Sequence, residues 1–205
     1  MRELAAYWKD RFDWRAQEAA LNVFPQFKVP LHEIDLHYLH VPGNGPNPYP
    51  LLLLHGWPGS VYEFLDIIPR LTGPARFGGD PKDAFTVIAP SLPGYGLSFK
   101  PGQKRFILQG MAACVHDLMT KAAGYEKYAV QGGDWGRGIA SIIGQKYASS
   151  ICGIHLNILF APRDSTAKSP TPEEGRYFEI LRNWLKEETA TSRSRAPSHR
   201  PSRSL

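Results

Sequence analysis

The apolar positions change their period several times along the chain, and each change marks an element. Leu4, Tyr7, Trp8 and Phe12 fall on a helical stripe, and Asp13 stands as the cap of a second piece from Trp14 to Leu21. After Phe24 the period drops to two. Ile34, Leu36 and Tyr38 alternate with Asp35 and His37, which predicts a strand or hairpin. Residues 42–50, PGNGPNPYP, form a turn-rich loop. Leu51 to Leu54 is an unbroken apolar run, the mark of a short strand covered on both faces. Ser60-Val61-Tyr62-Glu63 has the form of a capping box, after which Val61, Phe64, Leu65, Ile68 and Leu71 return to helical spacing.

The alternation of apolar runs and helical stripes then continues. Phe85 to Ala89 reads as a second buried strand. Leu108, Met111, Ala112, Val115, Leu118 and Met119 predict a helix over 107–123, stopped by Gly124. Its start lacks a Ser, Thr, Asp or Asn cap, and Gly110 costs about 1 kcal/mol relative to alanine. Tyr128 to Val130 is a strand, a helix follows from about Trp135 to Ala148, and residues 152–160, CGIHLNILF, form the next strand. Short apolar strands alternating with helices predict an α/β fold, a mostly parallel sheet with helices on both faces. Ligands of such sheets bind beyond the carboxyl ends of the strands, where the loops 55–60, 90–99 and 131–136 gather. Further on, Thr171-Pro172-Glu173-Glu174 starts another helix, with Tyr177, Leu181, Trp184 and Leu185 on one face. From Thr189 the chain is rich in Ser, Arg and Pro, and disorder is expected.

Composition narrows the function classes. The net charge is +5, but Arg193, Arg195, Arg200 and Arg203 account for four of those charges, leaving the rest near neutral. No aromatic interleaving or nucleic-acid motif accompanies this basic tail, so no nucleic-acid partner is expected. Cys114 and Cys152 sit in apolar stretches without metal or redox spacing and read as buried small hydrophobes. No apolar run reaches the roughly 18–20 residues of a membrane span, and the N-terminus has no signal-peptide core. These features predict a soluble, cytoplasmic protein and leave its oligomeric state open.

The chemistry concentrates in the turns. Gly132-Gly133-Asp134-Trp135-Gly136 places one carboxylate between a strand and a helix, flanked by residues with almost no side chain. A chain that reverses within one residue strains that residue and needs small neighbours so that strand and helix can approach. Asp134 therefore reads as a nucleophile projected above the sheet; the alternative is an ordinary helix cap. The other loop, His55-Gly56-Trp57-Pro58, ends a strand at the same sheet edge. The backbone N–H groups of Trp57 and Trp135 are the candidates for an oxyanion hole around the Asp134 carboxylate. Pro58 has no N–H to give and shapes the turn, through a cis bond if it has one.

HGWPGS, APSLPGYGLS and QGGDWG, in this order and spacing, resemble the microsomal-type epoxide hydrolase family of α/β-hydrolases. The opening YWKDRFDWRAQEAALNVFPQF is similar to the later part of that family's N-terminal region, and the resemblance extends over about residues 3–188. It implies an N-terminal region over 1–45, a nucleophile-bearing core over 46–165, the start of a lid helix over 166–188 and a disordered tail over 189–205. It further implies a small-molecule epoxide substrate, an alkyl ester formed on Asp134, hydrolysis of that ester to a diol, and no metal or other cofactor. A haloalkane dehalogenase would also use an Asp nucleophile; the N-terminal region and the paired glycines before Asp134 favour epoxides.

The same resemblance implies a histidine base, its acidic partner and lid tyrosines, and these are not legible. Only His155 and His199 follow Asp134; the first reads as a core or sheet histidine, the second lies in the tail. Arg137 places a cation in the first turn of the nucleophile helix, where the dipole disfavours it, and is expected to extend into solvent. The chain is expected to be a truncated member whose change of character near residue 190 reflects a shifted frame or a misassigned exon. A non-catalytic remnant or pseudoenzyme is the competing expectation.

Overall fold

The computed structural model describes residues 1–159 and 171–188. The chain divides into two compact units, Met1–Leu159 and Phe160–Leu205. Of the second unit, the described part is one helix; residues 160–170 and the tail from Thr189 lie outside the described residues.

The first unit opens with two helices, α1 (Arg2–Asp10) and α2 (Trp14–Asn22). Asp13 caps α2 as expected: its carboxylate accepts the Ala16 N–H at 3.1 Å. The period-two stretch forms a hairpin of β1 (Gln26–Leu31) and β2 (Ile34–Val41). His32 and Glu33 make its turn, both with positive φ (49° and 68°), the geometry that matches the twist of paired strands. One polar position of β2 is not solvent-facing. His37 is 3% exposed, and its ring bridges Ser91 Oγ (2.9 Å) and Gln26 Oε1 (3.0 Å). Those partners remove the penalty of burying an imidazole.

The remaining strands are β3 (Tyr49–Leu54), β4 (Phe85–Pro90), β5 (Tyr128–Gly132) and β6 (Ile151–Leu156). They complete one sheet of order β1-β2-β4-β3-β5-β6. The hairpin joins antiparallel through β2 and β4, and β4, β3, β5 and β6 run parallel. The α/β prediction of a mostly parallel sheet with helices on both faces therefore holds. On one face, α4 (Leu108–Asp117) and α5 (Trp135–Lys146), the latter through Ile139, bury Leu52, Leu54, Ile88 and Val130. On the other, Val61, Phe64 and Ile68 cover Leu51, Leu53, Val87 and Ala89. Complete burial of one such aliphatic side chain contributes roughly 1.5–3 kcal/mol.

Two predicted helices break up. Residues 61–71 form a tight turn over Val61–Phe64 and then α3 (Ile68–Thr72). Pro69 stands in the first turn of α3; without an N–H it cannot continue a helix arriving from the turn, but it suits a helix start. Only half of the expected capping box forms: Ser60 Oγ accepts the Tyr62 N–H. The helix over 107–123 widens after Asp117 into a looser turn over Leu118–Ala122, and Gly124 (φ 77°) ends it. It starts at Leu108 without a side-chain cap.

The cysteines divide. Cys114 is buried in the core, whereas Cys152 is exposed on β6, because β6 forms an edge of the described sheet and most of its residues are open. In the second unit, α6 (Pro172–Glu188) begins with the complete capping box: Glu174 accepts the Thr171 N–H and Thr171 Oγ1 accepts the Glu174 N–H. Among the described residues no helix is long and apolar enough to cross a membrane.

Candidate active site

β5 ends at Gly132 and a second glycine, Gly133, follows it, because the next helix must turn back over the strand. A Cβ on Gly132 would stand 2.3 Å from the Gly136 carbonyl oxygen, and one on Gly136 would stand 2.2 Å from the Leu54 carbonyl oxygen. Residues with side chains cannot make this approach. Asp134 occupies the reversal with φ 50° and ψ −120°, a conformation that costs a non-glycine residue on the order of 1–3 kcal/mol. The strain does not support a helix cap, since the Asp134 side chain makes no capping bond to α5. Its carboxylate instead faces the opposite loop, where Oδ1 accepts the Trp57 N–H at 2.8 Å.

That loop is held from three sides. His55 is 1% exposed; its Nε2 accepts the Leu92 N–H at 3.0 Å, so the proton sits on Nδ1 and is donated to the Gly56 carbonyl at 2.9 Å. Burial pushes the His55 pKa down, against the opposing pull of that carbonyl, which favours the neutral ring this geometry needs. The Trp57–Pro58 peptide bond is cis. Gly56 leaves the space Asp134 fills: a Cβ there would stand 2.4 Å from the Asp134 Cβ and 2.6 Å from Oδ1. Trp135 opens α5, and its N–H has no partner among the described residues; the resting carboxylate is bonded by Trp57.

A cavity of about 1130 Å³ within the first unit runs from this turn along the open side of the sheet. Leu53, Phe64, Ile67, Leu71 and Ile154 give it an apolar wall, and Glu63, Gln131, Asp134, His155 and Asn157 give it polar points. His155 is the sheet histidine of the expectation, but it is not a core one. It is exposed on β6, opposite Gln131 in register, and lines this cavity. His199 lies outside the described residues. Arg137 is half-buried rather than extended into solvent. Sequence reasoning missed Asn157 and Glu63 as neighbours of the turn. The Asn157 amide lies where a Gly133 Cβ would be, at 2.4 Å, and a polar residue closing an apolar strand was the available signal. Among the described residues no cluster of metal-ligating side chains forms.

Comparison with known proteins fits this geometry into a family. The family model described as epoxide hydrolase N terminus matches residues 1–64, and that described as alpha/beta hydrolase fold matches residues 49–187. The chain belongs to the α/β-hydrolase fold family. It carries at its start the region characteristic of the epoxide hydrolase branch. A relative from Stigmatella aurantiaca (strain DW4/3-1) is 44% identical over 174 residues, 84% of this chain and 39% of the relative. Epoxide hydrolase 1 of Sus scrofa is 39% identical over 168 residues, 80% of this chain and 37% of the relative. Among solved structures, Aspergillus niger epoxide hydrolase superposes with a TM-score of 0.72 at 30% identity, over 90% of this α/β-hydrolase chain and 48% of that one. Juvenile hormone epoxide hydrolase from the silkworm Bombyx mori gives 0.66 at 37% identity, over 74% and 40% of the two chains. This α/β-hydrolase chain thus spans less than half the length of each.

Proposed function

We propose that the chain carries the nucleophile half of an epoxide hydrolase site, with Asp134 as the nucleophile. The observation that carries the reading is the strained Asp134, whose carboxylate makes no helix cap and accepts the Trp57 N–H. A structural carboxylate has no reason to sit at φ 50°, whereas a nucleophile must be held clear of its own helix. The same-family N-terminal region over residues 1–64 supports an epoxide as substrate. In this reading residues 1–45 are the N-terminal region, 46–165 the core and 166–188 the beginning of a lid.

The chemistry follows from the residue type. A carboxylate oxygen of Asp134 attacks a ring carbon from behind, the carbon–oxygen bond breaks, and the ring oxygen leaves as an alkoxide that takes up a proton. The product is an ester between Asp134 and a 2-hydroxyalkyl group. Water then adds to the ester carbonyl, and the oxyanion forms beside the N–H groups of Trp57 and Trp135. Collapse releases the diol and regenerates the carboxylate, which a serine ether could not do.

Turnover of an aryl epoxide by the purified chain, beside an Asp134→Ala control, tests the reading. Diol formed by the chain and lost in the variant supports complete catalysis. An ester that accumulates on Asp134 without release supports the nucleophile and assigns the second step to groups this chain does not supply. Neither diol nor ester returns the chain to the non-catalytic reading.

A further inference from the structure

A second cavity in the first unit, of about 640 Å³, borders the loop that faces Asp134. Its size falls within the roughly 300–1,000 Å³ of small-molecule sites. Trp57, Pro58 and Gly59 line this cavity as well as the one that holds Asp134. Tyr95, Phe106 and Met111 give it an apolar wall, joined by the exposed rings of Trp57 and Phe99. Its charged lining residues are Lys104 and Arg105, and no Asp or Glu lines it. The turn that presents these cations is built rather than loose. Gln103 Oε1 accepts the Lys100 N–H at 3.2 Å, and Gln103 Nε2 donates to the Ser98 carbonyl at 3.1 Å. Ser98 is 1% exposed, and its Oγ accepts the N–H of His37 in β2 at 2.9 Å, which ties the turn to the sheet. Lys100 stands 3.5 Å from Asp35 and Lys104 3.5 Å from Glu33. Arg105, on the cavity wall, has no carboxylate partner among the described residues.

We propose that this second cavity is a subsite for the non-reacting end of the substrate, and that it takes an aryl group bearing a carboxylate, with Arg105 as the partner of the anion. The inference rests on the reading of Asp134 as nucleophile for the epoxide end, but not for binding of the carboxylate. A guanidinium matches the two oxygens of a carboxylate with parallel N–H donors, and the aromatic wall suits an aryl ring. Charge also fixes the direction of binding. The Asp134 carboxylate repels an anion, whereas Arg105 and Lys104 attract it, so the uncharged epoxide is the end turned towards Asp134. The shared loop joins the two ends, because the residue that lines the subsite, Trp57, gives its N–H to Asp134 Oδ1 at 2.8 Å. Arg105 is exposed, so the preference for an acid over its neutral ester is modest, about fivefold, and is screened by salt.

Two readouts separate this proposal from the reading it builds on. Binding of 4-ethylbenzoate and of methyl 4-ethylbenzoate, neither of which can react, is followed through backbone amide shifts by NMR. The acid should shift Tyr95, Phe99, Arg105 and Phe106 and bind about fivefold more tightly than the ester. Arg105→Ala, and salt of about 0.5 M, should each bring the two ligands level, with Leu52 and Val130 in the sheet unmoved as evidence that the fold is intact. Formation of the Asp134 ester at low substrate concentration should run about fivefold faster with 4-oxiranylbenzoate than with its methyl ester, and at equal rates in Arg105→Ala. Equal binding of acid and ester by the parent chain would overturn the proposal. So would an acid preference that survives in Arg105→Ala, or shifts confined to residues outside the cavity. Absence of the Asp134 ester from a parent chain that still prefers the acid would overturn the nucleophile reading alone and leave the carboxylate site standing.

Discussion

Replacing Gly56 with alanine puts a methyl group where Asp134 stands. The added carbon would lie 2.4 Å from the Asp134 Cβ, 2.6 Å from Oδ1 and 2.8 Å from Cγ. Non-bonded carbons settle at about 3.5–4.0 Å, so loop and carboxylate must part by roughly 1 Å. The Trp57 N–H bond to Oδ1, 2.8 Å in the parent chain, then stretches beyond hydrogen-bonding range. Two effects follow. Overpacking of this kind destabilises by about 1–3 kcal/mol, and a displacement of about 1 Å at a reacting atom costs on the order of a hundredfold in rate. The assay pairs thermal unfolding with the rate of ester formation from an aryl epoxide, read by intact mass. The stability loss should largely vanish when Gly56→Ala is combined with Asp134→Gly, because the second change removes the group that is struck. A Gly56→Ala chain that folds and reacts at the parent rate would refute the reasoning, as would a stability loss that persists in the double variant.

Asp134→Gly alone should raise stability: relief of about 1–3 kcal/mol of backbone strain outweighs the roughly 1 kcal/mol entropic cost of glycine, which lifts the unfolding midpoint by a few degrees while abolishing ester formation. His37 predicts a loss of stability in acid. Burial, and then the charge of Lys28, push its pKa down to about 4, so its contribution is present above the unfolded value of about 6.5 and is lost as pH falls from there towards 4. The loss is up to about 3 kcal/mol, and a chain with His37→Gln should show a shallower decline of denaturant midpoint across that window. His55 acts in the same direction at the loop: protonation would set a second donor against the Leu92 N–H, and its pKa is lowered chiefly by burial. Ester formation should therefore fall in acid faster than carboxylate protonation alone explains, measured against His55→Gln. In the second unit, Thr171→Ala should cost α6 about 1 kcal/mol, read as lower helicity by circular dichroism.

Much of this molecule was legible because local signals and packing agree. The strands at Leu51 and Phe85 are apolar on both faces because helices cover both faces, and the turn glycines flank Asp134 because strand and helix come within contact distance there. The misreadings share a cause in what lies across from a residue. His37 alternates as a solvent-facing position would, yet Ser91 and Gln26 close over it. Cys152 and His155 sit in an apolar run that reads as core, but β6 is an edge of the described sheet. Pro69, in the first turn of α3, breaks in two a helix whose stripe looked continuous. Glu63 was hidden by a pattern with an ordinary local meaning; the fold sets its carboxylate against Gly59 and on the wall of the cavity that holds Asp134.

The central claim is that Asp134 forms a covalent ester, and locating the adduct tests it most directly. The purified chain is incubated with an excess of aryl epoxide, quenched in acid, digested and sequenced by tandem mass spectrometry, with Cys152→Ser as a second sample to remove an exposed thiol that epoxides alkylate. The account predicts an added mass equal to the whole epoxide on the Asp134 residue, released by mild base, kept in Cys152→Ser and absent from Asp134→Ala. An adduct confined to Cys152, or a Cys152→Ser chain that carries no adduct on Asp134, would contradict it.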